Sequence, residues 1–380
     1  MINPEPKNCC GCTACASICT HRAISMRADR MGFLFPSVDT SKCVNCGLCE
    51  KVCPLTNKNQ DGLCSTPLFV YAARHKDENE ISNSRSGAVF IALSDIVLDN
   101  NGAVYGAAFD SDFVVKHKRA TTKNERDTFR GSKYVQSNCT NCFDLVNKDL
   151  QDGRQVLFSG TPCQVAAVKK IIPTNLQHNL LLIDIVCHGV PSPRMFRDYL
   201  ESRKRKNDTI IQFNFRDKSL NGWDDHRESI VYMKKGKIYS KLYTQLFYSN
   251  SFFRESCYEC PFAKTDRLGD ITIGDFWGWE KVDPYFNKDN KGCSLVYLNT
   301  EKGVRFFESV ENMMNLIRTD INHSLQRNLQ IPTPRPDKRC DLVEWYIDNG
   351  FDSLIKKYFT ASITAKVKQK LSQLLSSVRK

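Results

Sequence analysis

Apolar and polar positions fall into short blocks along this chain, and the spacing within each block predicts its element. Over Ala88–Asp99, Val89, Phe90, Leu93, Ile96 and Val97 share one helical face, and Asn100-Asn101-Gly102 supplies the turn after it. Ala103–Ala107 then reads as a strand. Gln155–Gly160 and Leu180–Cys187 are near-continuous apolar runs, short enough for strands covered on both faces. Gln164–Ile172 between them has helical spacing. Strand, helix and strand at this separation make a βαβ unit, which requires parallel strands. Arg194–Arg205 reads as a further helix. Ile210–Phe215 and Ser229–Met233 alternate as half-buried strands, and Ile271–Ile273 is a short one.

The segment 54–67, with Lys58, Asn59, Asp61, Gly62 and Pro67, has linker composition. Leu68–Ala73 opens a larger unit behind it. A last segment, from about Asp341, reads as helical, with 346–380 set apart as a tail. In that tail Ile363, Val367, Leu371, Leu374 and Val378 form an apolar stripe, with five Lys or Arg and no acid after Ala361. Such a helix can rest on an anionic membrane surface as a peripheral contact. A docking helix or a frayed tail is the preferred reading. No run approaches the roughly 18 to 20 apolar residues of a spanning helix. The opening MINPEPKNCC has neither a basic flank nor an apolar core, so the expected location is the cytoplasm.

The formal net charge is +12 over 380 residues, and mean hydropathy is −0.41. That composition supports a packed core and excludes disorder. The basic run Arg203-Lys204-Arg205-Lys206 has no aromatic residues interleaved, so it is read as a solvated helix end and no nucleic acid is expected.

Cysteine changes the picture. There are 18, in a compartment where structural disulfides do not persist. Cys9, Cys12, Cys15 and Cys19 read C-x2-C-x2-C-x3-C, and Cys43, Cys46, Cys49 and Cys53 repeat it before Pro54. Residues 1–60 thereby resemble the bacterial two-cluster ferredoxins. In that pattern the fourth cysteine of each run serves the other cluster. Cys9, Cys12, Cys15 and Cys53 are accordingly assigned to one [4Fe–4S] cluster, and Cys43, Cys46, Cys49 and Cys19 to the second. Zinc ribbons use paired C-x2-C instead and fit poorly. Cys10 is an extra thiol beside the loop, and Thr20 stands where proline usually follows the fourth cysteine.

A third grouping spans distant segments. Cys163 and Cys187 follow the ends of two strands expected to be parallel, so both fall on the edge where open α/β sheets bind ligands. Cys257 and Cys260 add a C-x2-C. The four suffice for a third [4Fe–4S] cluster, and they are equally readable as buried small hydrophobes. Cys139 and Cys142 form another C-x2-C, readable as alternative ligands, a redox pair or plain helix residues, of which the last is preferred.

Candidate flavin segments are more diffuse. Ser84-Arg85-Ser86-Gly87 opens the helix at Ala88, where free N–H groups can meet a phosphate or where Ser86 simply caps. Gly106 lies where a ring could approach the backbone. Ser132, Lys133, Tyr134 and Gln136 offer hydroxyls, an ammonium and an amide. No G-x-G-x-x-G follows a strand, so a Rossmann dinucleotide site is disfavoured.

Taken together, SRSGA, GAAF, RGSKYVQS, FSGTPCQVAAVKK, IDIVCHGVPSP, CYECPF and GDITIGDFWG resemble the beta subunit of coenzyme F-420 hydrogenase/dehydrogenase over about residues 66–345. The fused layout is similar to that of members carried in bacterial surface-polysaccharide gene clusters. The resemblance implies FAD as well as iron–sulfur clusters. It implies that Cys163, Cys187, Cys257 and Cys260 are cluster ligands, and that Gly87, Gly106, Ser132 to Gln136 and Thr161 line the flavin. Ala88 departs from the family, which usually has a second glycine there, and so does SNCTNC. The fold expected is an α+β ferredoxin-like N-terminal domain followed by a mixed α/β domain with parallel strands. The function expected is an iron–sulfur flavoprotein oxidoreductase, with Lys133, His188 and Asp275 as candidate proton donors. The alternative is an electron-transfer subunit serving a redox partner protein or ferredoxin. A third reading is a polysaccharide-pathway accessory in which clusters serve stability or sensing. The small-molecule substrate is not specified by these motifs.

Overall fold

The structure, a computed structural model, describes residues 2–56 and 64–359. The apolar stripe after Ala361 and residues 57–63 of the linker lie outside the described residues. Thirteen strands are described there: β1 (Ile24–Ala28), β2 (Leu34–Val38), β3 (Phe69–His75), β4 (Ala103–Phe109), β5 (Val115–Ala120), β6 (Val156–Gly160), β7 (Leu180–Ile185), β8 (Ile210–Asn214), β9 (Glu228–Tyr232), β10 (Gly236–Ser240), β11 (Ile271–Asp275), β12 (Ser294–Leu298) and β13 (Met314–Thr319).

Eight of them form one mixed sheet in the order β13-β3-β12-β11-β7-β6-β4-β5. Its centre, β11-β7-β6-β4, is parallel, and β5 and β12 flank it antiparallel. The βαβ reading holds: β6 and β7 are neighbours in parallel register, joined through the helix Pro162–Ile171. β6 and β7 are almost wholly buried, which is why their sequences are apolar without alternation. One core lies under helices Val89–Asp99 and Glu301–Glu308, around Leu157, Ile183 and Phe307. Another lies on the side of helices Cys142–Gln151 and Pro162–Ile171, around Phe143, Phe158 and Val165.

Strands β5, β12 and β13 have no counterpart in the periodicity. VKHKRA in β5 has alternation, but its inward residues are Val115 and His117, and a buried histidine looks polar to any hydropathy count. SLVYL in β12 is uniformly buried, so it shows no period. Cys142 opens the helix Cys142–Gln151 and Cys139 precedes it. Both thiols pack in the core, but only Cys142 is helical; the chain reaches Cys139 before the helix begins.

Residues 2–56 form the hairpin β1–β2 and two helical turns, Ala14–Ser17 and Leu48–Lys51. This segment is not detached. Cys12, Ala14 and Val52 share a core with Phe143 and Val165 of the larger unit. The smaller antiparallel sheet β10-β9-β8 carries an aromatic core around Phe196, Phe213, Phe215 and Tyr243. No helix among the described residues is long and apolar enough to cross a membrane.

Candidate redox centres and the sheet edge

Each cysteine run is wound by residues in left-handed backbone. Gly11 (φ 67°) and Thr13 (φ 71°) turn the first loop, and Asn45 (φ 54°) and Gly47 (φ 74°) turn the second. Such turns pull thiols at short spacing toward one point. Cys9, Cys12, Cys15 and Cys53 are all buried. Burial pushes the Cys15 thiol up to about 12, with Cys9 and Cys53 adding to the rise because their charges stand close. Cys19 instead lines a separate cavity with Cys43, Cys46 and Cys49. The structure therefore groups the thiols four and four, with the last cysteine of each run on the other run's side.

The third group also converges. Cys163 sits in the first turn of the helix after β6, Cys187 lies two residues past β7, and Cys257 and Cys260 flank a tight loop. All four line one cavity, together with Cys10, His188 and Arg254. Cys10 and Cys163 are in side-chain contact, and Thr161 Oγ1 lies 3.2 Å from Cys163 Sγ. Burial raises Cys187 to about 12 and Cys260 to about 11. Such thiols stay protonated unless a metal displaces the proton.

Among the described residues, no three donors close around a single metal ion. Four thiols standing apart around a cavity suit a multi-iron cluster rather than one ion. The donor chemistry, all sulfur and no imidazole or carboxylate in the set, fits the same group.

The candidate flavin residues are placed less uniformly. Ser86 Oγ donates to the Cys293 carbonyl at 2.6 Å, and the Gly87 N–H donates to Ser294 Oγ at 2.9 Å. A side chain at Gly87 would run into the Ala73 carbonyl, so its need for glycine comes from strand packing. Gly106 is covered by Phe129 at 2.8 Å from where a Cβ would stand, and β4 is three strands from β11. Ser132 is exposed. Gln136 ties down the N-terminal loop, donating to the Cys10 carbonyl at 2.8 Å. Thr161 caps its helix through Gln164. Ala88 takes φ 62°, the conformation glycine adopts freely.

Of the candidate proton donors, Lys133 spends its ammonium on the carbonyls of Thr128, Arg130 and Gly131 at 2.8–3.1 Å, and desolvation lowers it to about 7. His188 points its two ring nitrogens at the side-chain oxygens of Asn328 (3.0 Å) and Asn250 (2.8 Å), at the wall of the third thiol cavity. Asp275 closes β11 and is gripped by Arg216, with Trp223 Nε1 at 3.2 Å and Arg85 Nε at 3.7 Å.

That last cluster was missed by the sequence reading apart from Asp275 and the SRSGA segment. Arg216 also donates to the Tyr134 hydroxyl at 3.1 Å, and Trp277 stacks on Trp223 with ring centroids 4.3 Å apart. Arg85 and Arg216 are nearly inaccessible, at 8% and 3%, yet Arg85 Nε and Nη1 and Arg216 Nε have no hydrogen-bond partner. Buried donors left unsatisfied cost free energy, and each guanidinium lies over an indole, Arg85 5.9 Å from the Trp223 ring centroid and Arg216 5.4 Å from that of Trp277. No spacing marks these arginines. They come from loops far apart in sequence.

Comparison with known proteins adds two matches. Residues 153–323 match the model for the C terminus of the coenzyme F420 hydrogenase/dehydrogenase beta subunit, and residues 8–57 match the 4Fe-4S dicluster domain. One curated relative, a subunit of the F(420)H(2) dehydrogenase of Methanosarcina mazei, is 20% identical over 328 residues, covering 81% of this chain and 84% of that protein. A chain from the F420-reducing [NiFe] hydrogenase complex of Methanosarcina barkeri superimposes with a TM-score of 0.48 at 16% identity, over 78% of this chain and 92% of that one.

Proposed function

We propose that this chain, a fusion of a 4Fe-4S dicluster domain with a coenzyme F420 hydrogenase/dehydrogenase beta-subunit domain, is an oxidoreductase linking three [4Fe–4S] clusters to FAD and an organic substrate. The observation that carries it is the gathering of twelve cysteines into three four-thiol groups, two in the N-terminal segment and one at the carboxyl edge of the parallel strands. Clusters held there supply one-electron chemistry, and a flavin converts between single electrons and electron pairs.

The chain's residues do the placing. Cys9, Cys12, Cys15 and Cys53 would hold one cluster, Cys19, Cys43, Cys46 and Cys49 the second, and Cys163, Cys187, Cys257 and Cys260 the third. Arg85, Arg216 and the Trp223–Trp277 stack are suited to the flavin, with Ser86, Gly87 and Tyr134 alongside. Asp275 fixes both guanidinium groups, and the aromatic wall excludes water. His188 is best placed to exchange a proton, since it borders the third thiol group.

Protein purified without oxygen should show flavin and broad iron–sulfur absorbance, with about twelve irons for three four-iron clusters. A folded, colourless and iron-free chain would sink the reading. The relative's name points to reduced coenzyme F420 as the first electron donor to try. A second reading, an electron-transfer subunit serving a partner enzyme, is favoured by that same name, since the relative is itself one subunit among several. It would be selected if the loaded chain reduced a protein acceptor but no small molecule. A setting in surface-polysaccharide synthesis is tested by offering sugar nucleotides as substrates.

A further inference from the structure

Arg254 is wholly buried, at 0% exposure, and among the described residues no carboxylate lies within ion-pair distance of it. Its neighbour Glu255 is taken by Arg335 and Arg339. Arg254 instead donates to the Cys9 carbonyl, to Cys9 Sγ at 3.2 Å, to the Leu34 carbonyl at 2.9 Å and to Gln136 Oε1 at 3.1 Å. The guanidinium lies over Phe35, 4.2 Å from the ring centroid. Its other side borders the cavity of Cys163, Cys187, Cys257 and Cys260. Gly11 exists to admit it, because a Cβ there would come within 2.7 Å of Arg254 Nη1.

An isolated buried cation is costly, and neutral carbonyls do not cancel its charge. Negative charge is missing from this spot in the protein alone. Four thiolates around iron supply it on both sides. We infer that Arg254 is the shared buried counter-charge of the first ferredoxin cluster and the third thiol site, a positioning residue that raises their reduction potentials and favours electron residence where the two meet. This rests on the proposed function and goes beyond it, because ferredoxin-type ligation by itself demands no such cation.

Redox titration of the loaded full-length chain, followed by electron paramagnetic resonance, tests it. Arg254→Gln and Arg254→Met remove the charge with different packing, so one folded variant suffices. Arg254→Lys keeps the charge. The neutral variants should keep about the wild-type iron content and reduce at least one cluster about tenfold less at a fixed potential, equivalent to about 59 mV for one electron. Arg254→Lys should stay close to wild type. Unchanged midpoints in an iron-replete neutral variant would overturn the inference, and so would a Lys variant shifted as far as Gln. A wild-type chain without iron would instead defeat the functional proposal, a different result from either.

Discussion

Arg267 and Asp184 pair at 2.9 Å, with side chains 1% and 0% exposed, beneath the middle of the parallel strands. Asp184 belongs to β7, and the Thr272 hydroxyl of β11 also donates to it. Arg267 further donates to the carbonyls of Phe262 and Lys264, so the pair anchors the loop that follows Cys257 and Cys260. Burial pushes the Asp184 carboxyl up, and the guanidinium beside it pulls the other way. Removing one partner strands the other charge. Arg267→Met should cost about 3–5 kcal/mol of unfolding free energy. Arg267→Met with Asp184→Leu should recover much of that loss. Denaturant unfolding of the single and double variants checks it, and a double variant as unstable as the single would contradict it.

Iron stoichiometry separates the thiol groups. Cys257→Ser with Cys260→Ser should lower iron from about twelve to about eight atoms per chain, at four per cluster. Cys139→Ser with Cys142→Ser should leave iron unchanged, because those thiols pack in the core beside Phe143. Colorimetric iron analysis on folded protein reads both.

Flavin retention should depend on the guanidinium groups at Asp275. Arg216→Met should release most of the flavin, measured by fluorescence after desalting, while iron stays near the wild-type value. The donors without partners on Arg85 and Arg216 are the reason. Iron lost in parallel with flavin would show that the variant disturbs the fold and not one site.

His117 gives the chain an acid-sensitive element. Its Nδ1 faces the Ser137 hydroxyl at 2.9 Å, its Nε2 faces the Ser159 carbonyl at 3.1 Å, and burial lowers it to about 4. A histidine depressed on folding binds fewer protons folded than unfolded between about 4 and 6.5. Stability is therefore full above that window and falls as pH drops through it, by up to about 3 kcal/mol. His117→Gln should flatten this part of the profile relative to wild type. Parallel slopes for the two proteins across that window would contradict it.

Ala88→Gly should stabilise the fold by about 1 kcal/mol, because Ala88 holds φ 62° at the start of its helix and only glycine does so without a Cβ penalty. A small rise in thermal midpoint reads it; a fall would mean that the methyl group's packing outweighs the backbone term.

How much of this was legible in the chain depends on locality. The two cysteine runs announce themselves, since a loop that binds iron needs its thiols at fixed short spacing. The β6–helix–β7 unit was also readable, because strands covered on both faces are uniformly apolar. Cys163 and Cys187 could be set on one edge from the parallel rule alone, whereas Cys257 needed the fold to bring it there. Arg216 and Arg254 stayed hidden, and Arg85 was noticed only within its SRSGA segment. A buried arginine and a solvated one are the same letter; what distinguishes these is burial, with Arg254 lacking an acid and Arg85 and Arg216 keeping unbonded donors beside Asp275. The nominated Gly87 and Gly106 were read as openings, but each is filled by neighbouring protein, the Ala73 carbonyl and the Phe129 ring.

Cys9 and Cys10 are successive residues; Cys9 stands with Cys15 and Cys53, while the Cys10 side chain meets both Cys12 and Cys163. Their Cα atoms are about 3.8 Å apart by covalent geometry. One thiol thus touches both groups, and swinging the leading segment away would break its contact with Cys163.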